Sequence, residues 1–214
     1  MPYAYLVFDL DGTLSDPQVG IVRSLNYALS AHGFEQQDEQ RLATYIGPPL
    51  DTIFEALTQS SESTLIASLV SKYRERYSDV GFAENVLYRD IPQVLESLSA
   101  APGLTLGVCT SKRVDFAERI VELHGLSKYF EFIDGADVGT KKWQQLEDLL
   151  ATGTISSDSL MIGDRHVDLT AAHRNGLDSA GVLWGFGPRA ELEEHEPAFL
   201  FSRPEELLSL IGQS

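Results

Sequence analysis

Two aspartates separated by a single residue, Asp9 and Asp11, stand directly after the apolar run Tyr5–Phe8 and are followed at once by Gly12 and Thr13. A buried strand ending on paired carboxylates presents them together at its carboxyl end. A spacing of two sends both side chains off the same face of an extended strand. Like charges that close repel unless a cation or a shared proton holds them together. A carboxylate beside a cation at a strand end is well placed to act as a nucleophile. Asp-Gly alone is ordinary turn chemistry; the apolar strand leading into the pair makes the string YLVFDLDGT specific.

Three further stretches carry matching chemistry. The run LTLGVCTSK at 104–112 ends on Thr110, Ser111 and Lys112. Hydroxyls and free backbone N–H groups at a strand end can hold phosphate oxygens, and Thr or Ser there equally suits a helix N-cap. The run LMIGDRHVD at 160–168 ends on Gly163-Asp164, with Asp168 four residues on at helical spacing. Lys141 and Lys142 open a short helical pattern, and a lysine there would offset the charge of a phosphate and its nucleophile. Lys142 fits better, because Leu146 and Leu150 follow it at helical spacing; Lys141 stays open. His166 reads as an exposed loop histidine, and five scattered histidines exclude a zinc cluster.

The elements that would position these groups alternate. Strand-like runs fall at 5–8, 104–109, 130–133, 159–162, 179–183 and 198–201, with helical patterns at 114–124, 143–150, 169–175 and 204–211 between or after them. This predicts an α/β fold, a Rossmann-like parallel sheet with helices on both faces. Between the first two strands the pattern is different, with helices expected at 17–31, 38–45, 50–57, 63–79 and 91–98. One crossover needs one helix, so the surplus predicts an inserted helical cap at 16–82, with the core formed by 1–15 and 83–214. A domain inserted at the carboxyl end of a strand is expected to act as a lid. Its IGPPL loop at 46–50 is a candidate for reaching the site, and Arg23 reads as part of a solvated face.

Composition narrows the class. The chain has 214 residues, 43% hydrophobic, and a net charge of −16 with no basic block. That argues against a nucleic acid polymer or an anionic membrane surface as partner, and leaves a small phosphorylated metabolite open. A single cysteine, Cys109 in an apolar run, reads as a buried thiol and fits a reducing, cytoplasmic setting. No basic and apolar leader opens the chain, and no run approaches the ~20 apolar residues of a membrane span.

Taken together, FDLDGTLSDP, YIGPPL, VCTSK, GDRHVDL and GVLWGFG resemble the haloacid dehalogenase-like hydrolases. DxDGT is that family's phosphatase form and GDxxxD its acidic motif. The nearest likeness is to the phosphoglycolate phosphatase and 5′-nucleotidase-like subgroup with a helical cap. The resemblance implies hydrolysis of a phosphate monoester through an aspartyl phosphate. It implies Asp9 as nucleophile and Asp11 as the acid that becomes a base, with Thr110 and Lys142 completing the catalytic set. Gly12, Ser111 and Lys112 would bind phosphate at the lip of the site. Asp9, Asp11, Asp164 and Asp168 would serve a metal, with Asp11 contributing its backbone carbonyl and Asp168 acting directly or through water. A hard cation held by few carboxylates is Mg²⁺ in character. A phosphomutase, or a non-catalytic phosphate-ligand-binding regulator, would carry the same residues. A dehalogenase would not need Asp11, and a phosphonate hydrolase would need a cap lysine for a Schiff base, whereas the cap's only lysine, Lys72, lies on a charged helical face.

Overall fold

The computed structural model describes residues 3–47, 49–136 and 140–212. The chain forms two compact units, one of Met1–Asp16 with Val86–Ser214, the other of Pro17–Asn85. It begins with β1 (Tyr5–Phe8) and the short β2 (Ser15–Asp16), then four helices: α1 (Gln18–Ala31), α2 (Glu39–Ala43), α3 (Leu50–Thr58) and α4 (Ser63–Asp79). Next come β3 (Val86–Leu87), α5 (Ile91–Ser99), β4 (Thr105–Thr110), α6 (Val114–Leu123), β5 (Phe132–Gly135) and α7 (Lys142–Ala151). The chain closes with β6 (Ser159–Gly163), α8 (His166–Arg174), β7 (Asp178–Val182), α9 (Arg189–Glu193), β8 (Phe199–Phe201) and a 3₁₀ helix (Pro204–Leu210).

The fold is α/β. Six parallel strands lie in the order β5-β4-β1-β6-β7-β8. Tyr5 pairs with Thr105 on one side and Ser159 on the other. Leu6, Val7 and Phe8 are fully buried, as a central parallel strand requires. Val7, Cys109 and Met161 pack with Leu146 and Leu149 of α7 and with Ala171 and Ala172 of α8. Burial pushes the Cys109 thiol up, so it is an inert core group. No described helix is long and apolar enough to cross a membrane.

Four local departures from expectation have physical reasons. The strand expected at 130–133 runs Phe132–Gly135; Asp134 can enter the ladder because Gln145 Nε2 donates to its carboxylate at 2.7 Å. The helix expected from 169 starts at His166, because Asp168 Oδ2 accepts the Arg165 N–H at 3.0 Å and satisfies an orphan donor of the first turn. The closing helix is 3₁₀: Pro204, Leu207 and Leu210 are its buried residues, and their spacing of three suits three residues per turn. Finally, β2 pairs antiparallel with β3 in a two-stranded ribbon where no strand was expected. Each strand is only two residues long, too short to show alternation.

In the helical unit, Glu84 gathers two arginines. Arg23 Nη1 lies 2.8 Å from its Oε1 and Arg76 Nη1 2.8 Å from its Oε2. Arg23 is therefore paired, although its side chain is half exposed. Lys72 is held by Glu75 at 2.8 Å. Within the IGPPL loop Ile46 is buried, and Pro48 lies outside the described residues.

Candidate active site

The carboxyl edge of the sheet collects the polar residues. β1 stops at Phe8, so Asp9 and Asp11 lie on the loop leaving the strand and not on its extended face. Asp9 is still fixed by the ladder, its N–H donating to Ile162 O of β6 at 2.9 Å. Lys142, the first residue of α7 and 5% exposed, places Nζ 2.9 Å from Asp9 Oδ1 and hydrogen-bonds Asp168 Oδ1. Burial alone would lower the lysine's pKa, but Asp168 and Asp9 outweigh it and the ammonium is held charged. Lys141 is exposed, and its backbone N–H donates to Gln144 Oε1 at 3.0 Å at the start of the helix.

A second lysine serves the second aspartate. Lys112 Nζ lies 2.7 Å from Asp11 Oδ2, with its side chain only 9% exposed, so it is tucked inward and not on an open lip. Burial raises the Asp11 pKa and Lys112 opposes the rise. Ser111 is exposed. Thr110 is buried at the end of β4, where its Oγ1 accepts the Lys112 N–H at 3.3 Å. Its carbonyl accepts from Gln145 Nε2 at 3.2 Å. Gln145 lies one turn after Lys142, and that spacing is the sequence signal that finds it.

Asp164, just past β6, is fully buried. Its Oδ2 accepts the Phe186 N–H at 2.7 Å. Gly12, at φ +84°, and Gly185 press against this carboxylate, and a Cβ at either would collide with it. Burial, with Asp168 and Asp9 adding, pushes its pKa up to about 8. Burial likewise raises Asp168 to about 6, against the pull of Lys142. His166 is not a loop residue. It opens α8 half exposed, and both its N–H and its Nδ1 meet Glu191 Oε1, at 2.9 and 2.8 Å.

The donor set suits a hard cation. Among the described residues, carboxylate oxygens of Asp9, Asp164 and Asp168 lie within 4.8 Å of one another. Oδ1 of Asp9 and Oδ1 of Asp164 are buried without a hydrogen-bond partner, the Lys142 contact to Asp9 being an ion pair only. Buried unpartnered carboxylate oxygens are costly unless something positive meets them. The Asp11 carboxylate stands outside this cluster, turned to Lys112.

A sequence profile of the haloacid dehalogenase-like hydrolases matches residues 6–182. The chain belongs to that family. It is 40% identical to a 5′-nucleotidase of Pseudomonas aeruginosa over 91% of this chain and 89% of that one. It is 31% identical to a phosphoglycolate phosphatase of Vibrio parahaemolyticus, covering 98% and 96%. A crystal structure of a candidate phosphatase from Clostridium difficile superposes with a TM-score of 0.90 at 35% identity, covering 98% of each chain. The protein is a phosphoric monoester hydrolase of the haloacid dehalogenase-like type. Residues 137–139, between β5 and the lysine station, lie outside the described residues.

Proposed function

We propose that this hydrolase is a Mg²⁺-dependent phosphatase that cleaves a small phosphate monoester through an aspartyl phosphate on Asp9. One observation carries the reading: Asp9 sits between a buried ammonium at 2.9 Å and Asp164, whose inner oxygen has no hydrogen-bond partner. The Asp9 carboxylate attacks phosphorus. Asp11 gives its proton to the leaving oxygen, and later takes one from the water that opens the phosphoaspartate. Its raised pKa supports the acid half of that cycle. Thr110, with the exposed Ser111 and the backbone at Gly12, binds the transferring oxygens, and Lys142 offsets their charge. Lys112 neutralises Asp11 and the leaving side of the substrate.

Asp9 and Asp164 would hold Mg²⁺, Asp164 through its unpartnered Oδ1, with the Asp11 carbonyl. Asp168 has both oxygens engaged, by Lys142 and by the Arg165 N–H, so it would support the ion through water while positioning the lysine. The ion, when bound, supplies positive charge to the phosphoryl oxygens. Lys72 does not suit a Schiff base: Glu75 and Tyr27 raise its pKa, where that chemistry needs it lowered. Names of relatives support a substrate resembling phosphoglycolate or a nucleoside monophosphate.

Release of phosphate from para-nitrophenyl phosphate, with Mg²⁺ and with chelator, tests the reading. Turnover that needs Mg²⁺ and disappears in Asp9→Asn is expected. Turnover of equal rate in chelator, or in Asp9→Asn, would overturn it.

A further inference from the structure

A cleft of about 400 Å³ opens in the α/β unit, lined among others by Tyr88, Arg89, Trp184, Arg203 and Pro204. Each main part of the lining leaves the end of a strand: Tyr88 follows β3, Trp184 lies two residues past β7, and Arg203 two past β8. The floor is bonded to the loop that carries the aspartates. Trp184 Nε1–H donates to Thr13 O at 2.9 Å, and the Tyr88 N–H donates to Leu14 O at 3.2 Å. The next residues after Trp184 are those that press on Asp164: Gly185 against its carboxylate, Phe186 through its N–H.

The lining is chemically divided. An indole, a phenol ring and the buried Pro204 make an aromatic, apolar floor. Two guanidinium groups stand at the rim, Arg89 with its side chain 94% exposed and Arg203 72% exposed, beside Asp90 and Glu205. Both are loosely tied, at 3.5 Å to Asp90 and Glu206, so they can turn to a ligand. Asp90 is held at φ +67°, a left-handed conformation that a non-glycine residue adopts at some cost, at the start of α5. A flat aromatic group with polar edges fits such a site: its faces stack on the indole, and its edge atoms accept from arginine.

Distance selects the ligand further. In the sheet order β1-β6-β7-β8, Asp9 leaves β1 and Trp184 leaves β7 at the same edge. Two strand spacings, about 10 Å, separate those ends. A nucleoside monophosphate spans such a gap from phosphate to base; a two-carbon acid phosphate does not. We propose that the cleft takes the base of a nucleoside 5′-monophosphate whose phosphate lies at Asp9, with Trp184 stacking on the base and Arg89 and Arg203 meeting its edge. This deepens the phosphatase reading and rests on it.

Trp184 is one of two tryptophans, so it can report directly. In the full chain carrying Trp143→Phe and Asp9→Asn, with Mg²⁺ present, its emission is titrated with adenosine and uridine 5′-monophosphates and with ribose 5-phosphate. Saturable quenching by at least one nucleotide and none by ribose 5-phosphate is expected, with the half-saturating concentration rising at least fivefold in Arg203→Ala. No response to either nucleotide, or an equal response to ribose 5-phosphate, overturns the proposal. Should Trp143→Phe lose its far-ultraviolet circular dichroism, the titration is made with Trp143 retained, and the nucleotide-dependent signal must vanish in Trp184→Phe. Phosphatase failure is separable: wild-type turnover of para-nitrophenyl phosphate with a silent Trp184 rejects the cleft alone. Quenching without any phosphate release rejects the phosphatase reading while the cleft stands.

Discussion

Two clusters of ionised side chains, one in each unit, are built on opposite electrostatic terms. In the helical unit, Glu84 meets Arg76 through both its oxygens and Arg23 through one, and Gly20 N–H donates to its carbonyl. Hydrogen bonds from Arg76 lead the causes that pull its pKa below the usual glutamate range. At the sheet edge, burial drives Asp11, Asp164 and Asp168 the other way. The first cluster is satisfied and holds structure. The second leaves carboxylate oxygens buried without hydrogen-bond partners and stays intact because the surrounding fold over-determines it. Unmet electrostatic demand marks the place where a ligand can be bound strongly.

Substitutions sharpen this contrast. Asp9→Asn should lower turnover of para-nitrophenyl phosphate by about 10³-fold or more, as loss of a nucleophile does, with a melting temperature no lower than wild type. A stability loss matching the activity loss would place Asp9 in the structural class. Lys142→Met should cost turnover about 10²-fold or more. It should also destabilise the fold by about 3–5 kcal/mol, because it strands Asp9 and Asp168 as buried charges. Adding Asp168→Leu should recover much of that stability in urea melts and none of the rate; recovery of both would break the assignment.

Asp164→Asn separates binding from folding. Its folded pKa of about 8 lies above the ordinary aspartate value near 3.9. The ionised form therefore opposes folding, and the penalty grows as pH rises from about 4 through 8. In chelator the variant should melt a few degrees above wild type, with the gap widening over that range. With Mg²⁺ the order should reverse, since only wild type gains the stabilisation of ligand binding. A variant that melts lower in chelator at every pH would mean that the charge is compensated within the protein.

The smallest effect belongs to the satisfied cluster. Glu84→Gln should cost about 1 kcal/mol in denaturant melts at neutral pH and leave turnover of para-nitrophenyl phosphate near the wild-type rate. Since the folded pKa of Glu84 is depressed, its stabilisation is present above the ordinary glutamate value and is lost as pH falls through the folded value. The difference between variant and wild type should close in acid. A difference that persists unchanged at low pH would show that packing, not charge, is at stake.

Much of the α/β core was legible because its strands are short apolar runs ending in polar residues, a pattern that burial on both faces imposes. The helix start expected at 169 and the helix type expected from 204 went astray where a side chain supplied what propensity could not foresee: Asp168 capping α8, and leucines spaced by three choosing a 3₁₀ turn. The ribbon of β2 and β3 and the five-residue α9 were invisible, being too short to carry periodicity.

For the site, residue type and chain position alone named the acids, the hydroxyl and two adjacent lysines. Choosing between Lys141 and Lys142 in space required α7 to dock against β4 and α8, because helix phase against a packed core decides which side chain is buried. The same holds for Lys112 turning inward to Asp11, for Gln145 reaching Thr110, and for Trp184 meeting Thr13 across 171 residues of chain. Composition and local spacing are properties of the chain itself. Which charges share a dry space is a property of the packing, since proximity and burial arise only when distant strand ends are brought to one edge.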